Sequence, residues 1–447
     1  MPRTTVDYEL CIVGGGPAGA ATALFACAAA PELTKRILLV DREPFPREKI
    51  CAGAIGGRAE RALAGIGVEV RAPSVPIHGL AVRTGDGELA LRLHEHAGVT
   101  GPIGRVVRRR EFDAALLDEV RARGVAVRDG IGVRGVTLQD NAVLLETTSG
   151  VITARAVVGA DGVGSTVRRA LDFPRGEFYA QAVEVDTPLV ATDRAPDLLS
   201  FELSDRRYAG YSWAFPTLVD GELMMCRGVY RLVRGVPTPC SRHGAATPAS
   251  RRGAATPASR RGASNAPREV TSHAANDPSE LDVTARLVRE LDALGIATGG
   301  LAMKRFAERG LALHEPCARP RALLVGEAAG IDPVLGEGIA QAILYGKMAG
   351  TYLARSYRES RTPGELARHG YRFDDYRRVL ASSRVGVDLR LRAHALAGIY
   401  GTRRATFERW VTRSESLAIA GMCYFAGRRV PRLRLVRALY DLFRIAA

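Results

Sequence analysis

Lysine is scarce in this 447-residue chain: only Lys35, Lys49, Lys304 and Lys347 accompany 59 arginines, and the net charge is +15. An excess of arginine and alanine is what a GC-rich coding sequence produces. No basic stripe is interleaved with aromatics, so nucleic acid is not an expected partner. The charge points instead to an acidic substrate or an anionic membrane surface. The seven cysteines (11, 27, 51, 226, 240, 317 and 423) are scattered and odd in number. They form no CxxC or Cys/His spacing, which argues against a disulfide framework and a metal site. No apolar run reaches the ~18–20 residues of a membrane span. No leader precedes the first apolar strand, which fits a cytoplasmic enzyme with reduced thiols.

What is present is 47% hydrophobic and 25% charged residues, enough for two or three packed domains. The run that organises the chain is Cys11-Ile-Val-Gly-Gly-Gly-Pro-Ala-Gly-Ala20. An apolar strand over 8–13 enters Gly14, Gly16 and Gly19, an alanine-rich helix follows, and a second strand over 37–40 ends in Asp41. Gly14 permits the tight turn, Gly16 lets a pyrophosphate approach the backbone, and Gly19 lets helix and strand pack closely. The helix N-terminus supplies free amides, and Asp41 stands where a carboxylate can bind a ribose hydroxyl. Together these predict a dinucleotide site.

Further along, Phe45-Pro-Arg-Glu-Lys-Ile-Cys51 belongs to a proline- and glycine-rich loop. Residues 59–66 read as helix, and 77–93 as a hairpin around Gly85-Asp-Gly87. A helix is expected from Arg109, with Phe112, Leu116, Leu117 and Val120 on one face. Strands are expected at 125–128, 143–148 and 151–154. Another runs through Ala156-Val-Val-Gly-Ala-Asp161-Gly162 into a turn. Residues 178–231 read as strands and include Tyr211-Ser-Trp213-Ala-Phe-Pro216, with a hairpin at Asp220-Gly221. The stretch 236–278 carries Gly-Ala-Ala-Thr-Pro-Ala-Ser-Arg-Arg twice in tandem and reads as a disordered insertion. An amphipathic helix is expected at 281–294. Strand, turn and helix follow through Gly326-Glu327-Ala328 and Asp332-Pro-Val-Leu-Gly336-Glu-Gly338-Ile339, and the remainder is helical and rich in arginine.

The opening glycines, Ala160-Asp161-Gly162 and Gly326-Glu327-Ala328, each at the end of an apolar strand, resemble the flavoprotein hydroxylase superfamily. The 45–51 loop, the 211–216 run and the 332–339 loop resemble, within it, the FAD-dependent geranylgeranyl reductase family. The resemblance covers residue 6 to about residue 350 without the insertion. It implies an α/β fold: a Rossmann-like FAD domain of the glutathione-reductase type, an inserted β-sheet substrate domain and a helical C-terminal region. The FAD domain would take residues 1–75, 100–175 and 300–350, and the β-rich domain 76–99 and 176–299, leaving 351–447 to the helices.

By the same resemblance, Gly14, Gly16, Ala18, Gly19, Asp41 and Arg42 would hold the ADP half of FAD. Arg109 would approach the pyrophosphate and ribityl chain, and Asp161 would support the site or simply cap a helix. Gly326 and Glu327 would meet the ribityl chain, although aspartate is usual where Glu327 stands. Gly336, Gly338 and Ile339 would cross the flavin ring, their amides favouring the anionic reduced form. Cys51, in Cys51-Ala-Gly where the family has Cys-Gly-Gly, would shape the pocket or relay a proton, or be a buried inert thiol. Tyr211, Trp213 and Phe215 share one strand face, as a pocket wall or as ordinary sheet core.

The expected function is FAD-dependent reduction of carbon–carbon double bonds in an isoprenoid-like, apolar or lipid substrate. Two alternatives stand beside it: a monooxygenase or halogenase-like enzyme acting on an aromatic or polyketide-type metabolite, and a flavin- or lipid-binding accessory protein. No second GxGxxG appears, so electrons are expected from NAD(P)H or from a separate reductase or ferredoxin. Residues 417–437, apolar and then studded with arginine, read either as a packing helix or as a peripheral membrane contact.

Overall fold

The computed structural model of the chain describes residues 6–97, 100–176, 178–234, 282–312, 314–332, 334–361 and 371–446. The tandem repeat of 236–278 lies outside the described residues. The first of three sheets is built on Tyr8–Val13, which runs parallel to Gly150–Gly159 on one side and Ile37–Val40 on the other. Ala322–Leu324 and Ala126–Arg128 extend it in parallel. Strands buried on both faces are apolar at consecutive positions rather than alternate ones. Leu10 to Val13 and Ile37 to Val40 are buried throughout, as that geometry demands. The helix Pro17–Ala29 returns the chain between them, buried from Pro17 to Cys27 and packed on the long helix Gly338–Arg361. Small side chains make that close packing feasible, which explains the alanines.

Gly150–Gly159 is one ten-residue strand where the sequence suggested two. Its first half pairs antiparallel with Val143–Thr147, and its second half parallel with Tyr8–Val13. The change of partner explains why its polar half and its apolar half look unrelated. Val133–Leu138, which has no clear strand signal, pairs on the outside of Val143–Thr147.

The second sheet has seven strands: Lys304–Arg309, Phe178–Thr187, Glu222–Arg234, Gly210–Val219, Leu198–Leu203, Gly79–Thr84 and Gly87–Arg92, in that spatial order. The turn at Asp220-Gly221 joins Gly210–Val219 to Glu222–Arg234 as expected. Lys304–Arg309 corrects the assignment of 300–350 to the FAD segment, because its ladder is with Phe178–Thr187. A small third sheet, Ala54–Gly56, Gly104–Val107 and Ser74–Ile77, packs on both Gly210–Val219 and Gly338–Arg361.

The C-terminal helices Arg404–Arg413 and Glu415–Ala426 close over the second sheet, Arg384–Ile399 packs between Arg404–Arg413 and Gly338–Arg361, and Arg432–Ala446 lies outside. Buried Arg404 fixes this packing. Its guanidinium bonds Glu408 at 3.0 Å and donates to the carbonyls of Tyr208 and Leu203 at 2.6 Å each. A buried arginine needs such complete pairing to offset its desolvation.

Candidate active site

Two chambers lie where the first sheet, the second sheet and the C-terminal helices converge. One is a polar cleft along the ends of the first-sheet strands, reached by Gly14, Gly16, Asp41, Arg109 and Asp161. The other is an apolar cavity of about 320 Å³, walled by Tyr211, Trp213, Phe215 and Tyr230 and closed by Met422 and Phe425. Five residues line both chambers: Cys51, Phe306, Glu308, Gly338 and Ile339.

The polar cleft begins at the glycine turn. Gly14 has φ +110°, and a Cβ there would stand 2.3 Å from the Ala160 carbonyl oxygen. Gly19 is equally constrained, 1.9 Å from the Gly14 carbonyl oxygen, so it serves packing and does not line the cleft. Gly16 is open: the point where a Cβ would stand has guanidinium nitrogens of Arg47 and Arg109 at 3.4 and 4.0 Å. Asp113, fully buried, orients both. It receives two bonds from Arg109 at 2.7 and 2.8 Å and faces Arg47 at 3.3 Å. Burial alone would lower the affinity of Arg109 for its proton, but Asp113 more than offsets this and raises it. Arg47 also stacks over Phe45 at 4.7 Å. It is a site residue that sequence reasoning missed, although it lies inside the quoted 45–51 loop.

Two expected residues take on a further task, and a third lies elsewhere. The Asp41 carboxylate accepts the Gly15 N–H at 2.7 Å and the Glu43 N–H at 3.0 Å, so it staples the glycine turn as well as facing the cleft. Asp161 lines the cleft and also caps a helix, so both readings of it hold. It accepts from the Ser165 hydroxyl at 2.5 Å and the Thr166 and Val167 amides at 2.6 and 3.2 Å, with burial raising its pKa. Gly326 does not line the cleft, because its Cα turns toward Ala18, whose Cβ is 2.6 Å from where a Gly326 Cβ would stand. Ala18, Arg42, Glu327, Gly338 and Ile339 do line it.

The loop 334–338 is held from both sides. Glu337 points away from the cleft to Arg58 and Arg392, at 2.6 Å each. Asp332 pairs with Arg392 and accepts the Val334 and Glu337 amides at 2.8 and 3.3 Å. Asp388 completes the cluster with Arg58, Gln341 and Arg392. From the opposite side the Tyr211 hydroxyl donates to the Leu335 carbonyl, and the Tyr400 hydroxyl to the Val334 carbonyl at 2.7 Å. The hydroxyl of Tyr211 is therefore engaged in holding the loop, and its ring serves as wall, stacked on Tyr230 at 5.0 Å. Trp213 is wall too, its indole lying where any Cβ at Gly228 would intrude. Neither is arranged for proton transfer.

Glu308 was not anticipated. It projects from Lys304–Arg309 to the Gly336 turn (φ +64°), with Oε2 2.9 Å from where a Gly336 Cβ would stand. That oxygen is buried and has no hydrogen-bond partner among the described residues. Burial, reinforced by Glu327 and Asp332, raises its pKa well above its ordinary value and so favours the protonated form. Beside it the Cys51 amide donates to Glu184 at 2.9 Å, and the Cys51 sulfur accepts the Gly53 amide at 3.4 Å. Burial raises the Cys51 thiol despite the nearby Arg109, which makes it a thiol rather than a nucleophilic thiolate. Burial also pushes Glu184 up to about 7. No advance signal marked Glu308, because 300–350 was expected in the FAD segment and its strand joins the second sheet only in the fold.

Residues 7–206 match the FAD binding domain family. That match supports FAD as the cofactor. This flavoprotein is similar to a digeranylgeranylglycerophospholipid reductase from Methanosarcina mazei, 25% identical over 220 residues, which are 47% of this chain and 51% of that one. The chain spans about half the length of the curated relatives it matches. Among solved structures, a geranylgeranyl bacteriochlorophyll reductase-like protein from Thermoplasma acidophilum superposes with a TM-score of 0.59 and 16% identity, covering 98% of this chain and 96% of that one. A p-nitrophenol 4-monooxygenase from Pseudomonas putida has the same TM-score and identity, covering 97% and 98%. At such identities these superpositions establish the fold of the flavoprotein.

The cleft fits FAD on its own geometry. Gly16 leaves room for a pyrophosphate beside two guanidinium groups, and the helix starting at Pro17 has no acidic side chain in its first turn. Each Asp41 oxygen accepts one bond and keeps a lone pair for a ribose hydroxyl. Among the described residues no group of three or more His, Cys, Asp or Glu could hold a metal, and no helix is long and apolar enough to cross a membrane.

Proposed function

We propose that this FAD-dependent oxidoreductase reduces carbon–carbon double bonds in an isoprenoid-like, apolar substrate. The observation that carries the reading is the shared partition: an aromatic-walled cavity meets the cofactor cleft at Cys51, Phe306, Glu308, Gly338 and Ile339. A chain of apolar groups gains from leaving water for such a cavity, at about 25 cal/mol per Å² buried. The name of the Methanosarcina mazei relative, a reductase of a lipid with geranylgeranyl chains, supports the same substrate class.

Arg47 and Arg109 would hold the pyrophosphate of FAD, and the 334–338 loop with Ile339 would bound the cofactor side of the partition. When bound, FAD supplies a hydride equivalent. The aromatic wall holds the alkene and excludes water. Glu308 gives the proton that completes addition across the double bond and is reprotonated from solvent. Cys51 shapes the partition. Electrons come from NAD(P)H or from a separate reductase or ferredoxin.

The test is single-turnover mixing of dithionite-reduced holoenzyme with a geranylgeranyl lipid under argon and under air, with products weighed by mass spectrometry. A dihydro product under argon is expected. Product formed only in air, carrying oxygen or halogen, overturns the reading in favour of monooxygenase or halogenase chemistry. Reduced protein that never reoxidises with prenyl substrates identifies an accessory binder.

A further inference from the structure

The terminal helix Arg432–Ala446 turns most of its large apolar side chains outward. Leu433 is 86% exposed, Val436 65%, Tyr440 60%, Leu439 51% and Leu435 47%. At 100° per residue, Leu435, Leu439, Val436, Tyr440 and Leu433 follow one another around a single arc, interrupted only by Arg432 in the first turn. The opposite arc holds the helix to the protein. There Ala438 and Asp441 are buried, Asp441 accepts from the Ser414 hydroxyl at 2.6 Å, and the Trp410 indole N–H donates to the Leu442 carbonyl at 3.0 Å. The helix is thus firmly seated, and its apolar arc is the outer one.

The charges around that arc are of one sign. From Gly427 to the end the chain has six arginines and one acid, the buried Asp441. Arg434 is paired with Glu415 at 3.2 Å, and Arg428 donates to the Thr100 and Pro102 carbonyls. Arg429, Arg432, Arg437 and Arg444 are exposed, and no carboxylate pairs with them among the described residues. A seated helix with an outward apolar arc rimmed by free cations is complementary to an anionic lipid surface, where leucines and a tyrosine enter the interface and arginines meet phosphates. An apolar arc of this extent rarely faces water in a soluble monomer.

We propose that Arg432–Ala446 lies flat on anionic bilayers through Leu433, Val436 and Tyr440, and docks the protein on its lipid source. The helix against which it packs, Glu415–Ala426, supplies Met422, Tyr424 and Phe425 to the wall of the apolar cavity. The docked face is therefore one helix away from the cavity, the short route a lipid substrate needs. Docking rests on the helix alone, whereas lipid delivery rests on the proposed function.

The test is flotation of the full-length holoprotein with phosphatidylcholine vesicles and with vesicles containing phosphatidylglycerol, at low and high salt. Binding is expected only with phosphatidylglycerol and is weakened by salt. Leu433→Glu combined with Val436→Glu lowers it on the order of 10- to 100-fold. In the milder Leu433→Trp variant, the new indole emission shifts to the blue on those vesicles. Unaltered flotation of the double variant overturns the proposal. So does wild-type protein that never floats, and so does a solution dimer that Leu433→Glu converts to monomer, which gives the face to a second copy of the chain. No readout requires turnover, so failure of docking and failure of the reductase reading are separately visible.

Discussion

The polar cleft takes its groups from the turns that follow strands of one sheet, each a short local pattern: Gly14–Gly16 after Tyr8–Val13, Asp41 after Ile37–Val40 and Asp161 after Gly150–Gly159. The apolar cavity takes its walls from many separated regions, among them the 51–54 loop, the strands Gly210–Val219 and Lys304–Arg309, the turn at Gly336 and the helix Glu415–Ala426. Backbone geometry dominates the first, where positive φ and close approach leave glycine little alternative. Side-chain volume and burial dominate the second, where a carboxyl such as Glu308 can be kept neutral.

The largest expected effect breaks the first chamber alone. Gly14→Val forces a β-branched residue to φ +110° and into the Ala160 carbonyl, costing at least about 3 kcal/mol locally. The purified variant should lack the bound-flavin absorbance. Glu308→Gln tests the partition: FAD is retained, while single-turnover alkene reduction falls roughly 10²- to 10³-fold. An unchanged rate would remove Glu308 from the chemistry.

Glu184→Gln probes the same partition through stability. Burial pushes the folded pKa of Glu184 up to about 7 from its ordinary 4.5. The fold thus favours its protonated form, and that stabilisation is complete below 4.5 and lost as pH rises through about 7. The variant should match wild type in melting at pH 4, where the carboxyl is neutral in both states, and exceed it by about 2–3 kcal/mol at pH 8. The smallest effect sharpens the division of labour. Cys51→Ala should lower kcat by less than ~10-fold, because its thiol shapes the partition and does not deliver the proton.

Much of the first chamber was legible, since its signals span a few residues each. The glycine turn, Asp41 and the Asp220-Gly221 hairpin rest on local backbone demands. Legibility failed where a residue's surroundings come from elsewhere in the chain. In Lys304-Arg-Phe-Ala-Glu308-Arg nothing distinguishes Glu308 from an exposed strand acid, because its burial is made by Gly336, Tyr230 and the loop beyond. Arg392 reads as one of many arginines on a helix until Asp332 and Glu337 are brought to it. Val133–Leu138 escaped because a half-exposed outer strand keeps glycine, arginine and threonine among its apolar residues. Gly326 matched its motif in type, yet it serves helix packing against Ala18.

The arginine cluster that holds the 334–338 loop imposes an order of assembly. Arg58 comes from the first quarter of the chain, and Arg392 from its last. A nascent chain still on the ribosome can complete the glycine turn early, but until the helix Arg384–Ile399 emerges Asp332 lacks Arg392 and Glu337 has Arg58 alone. The 334–338 loop is therefore fixed last, and only a chain made through that helix holds it with both arginines.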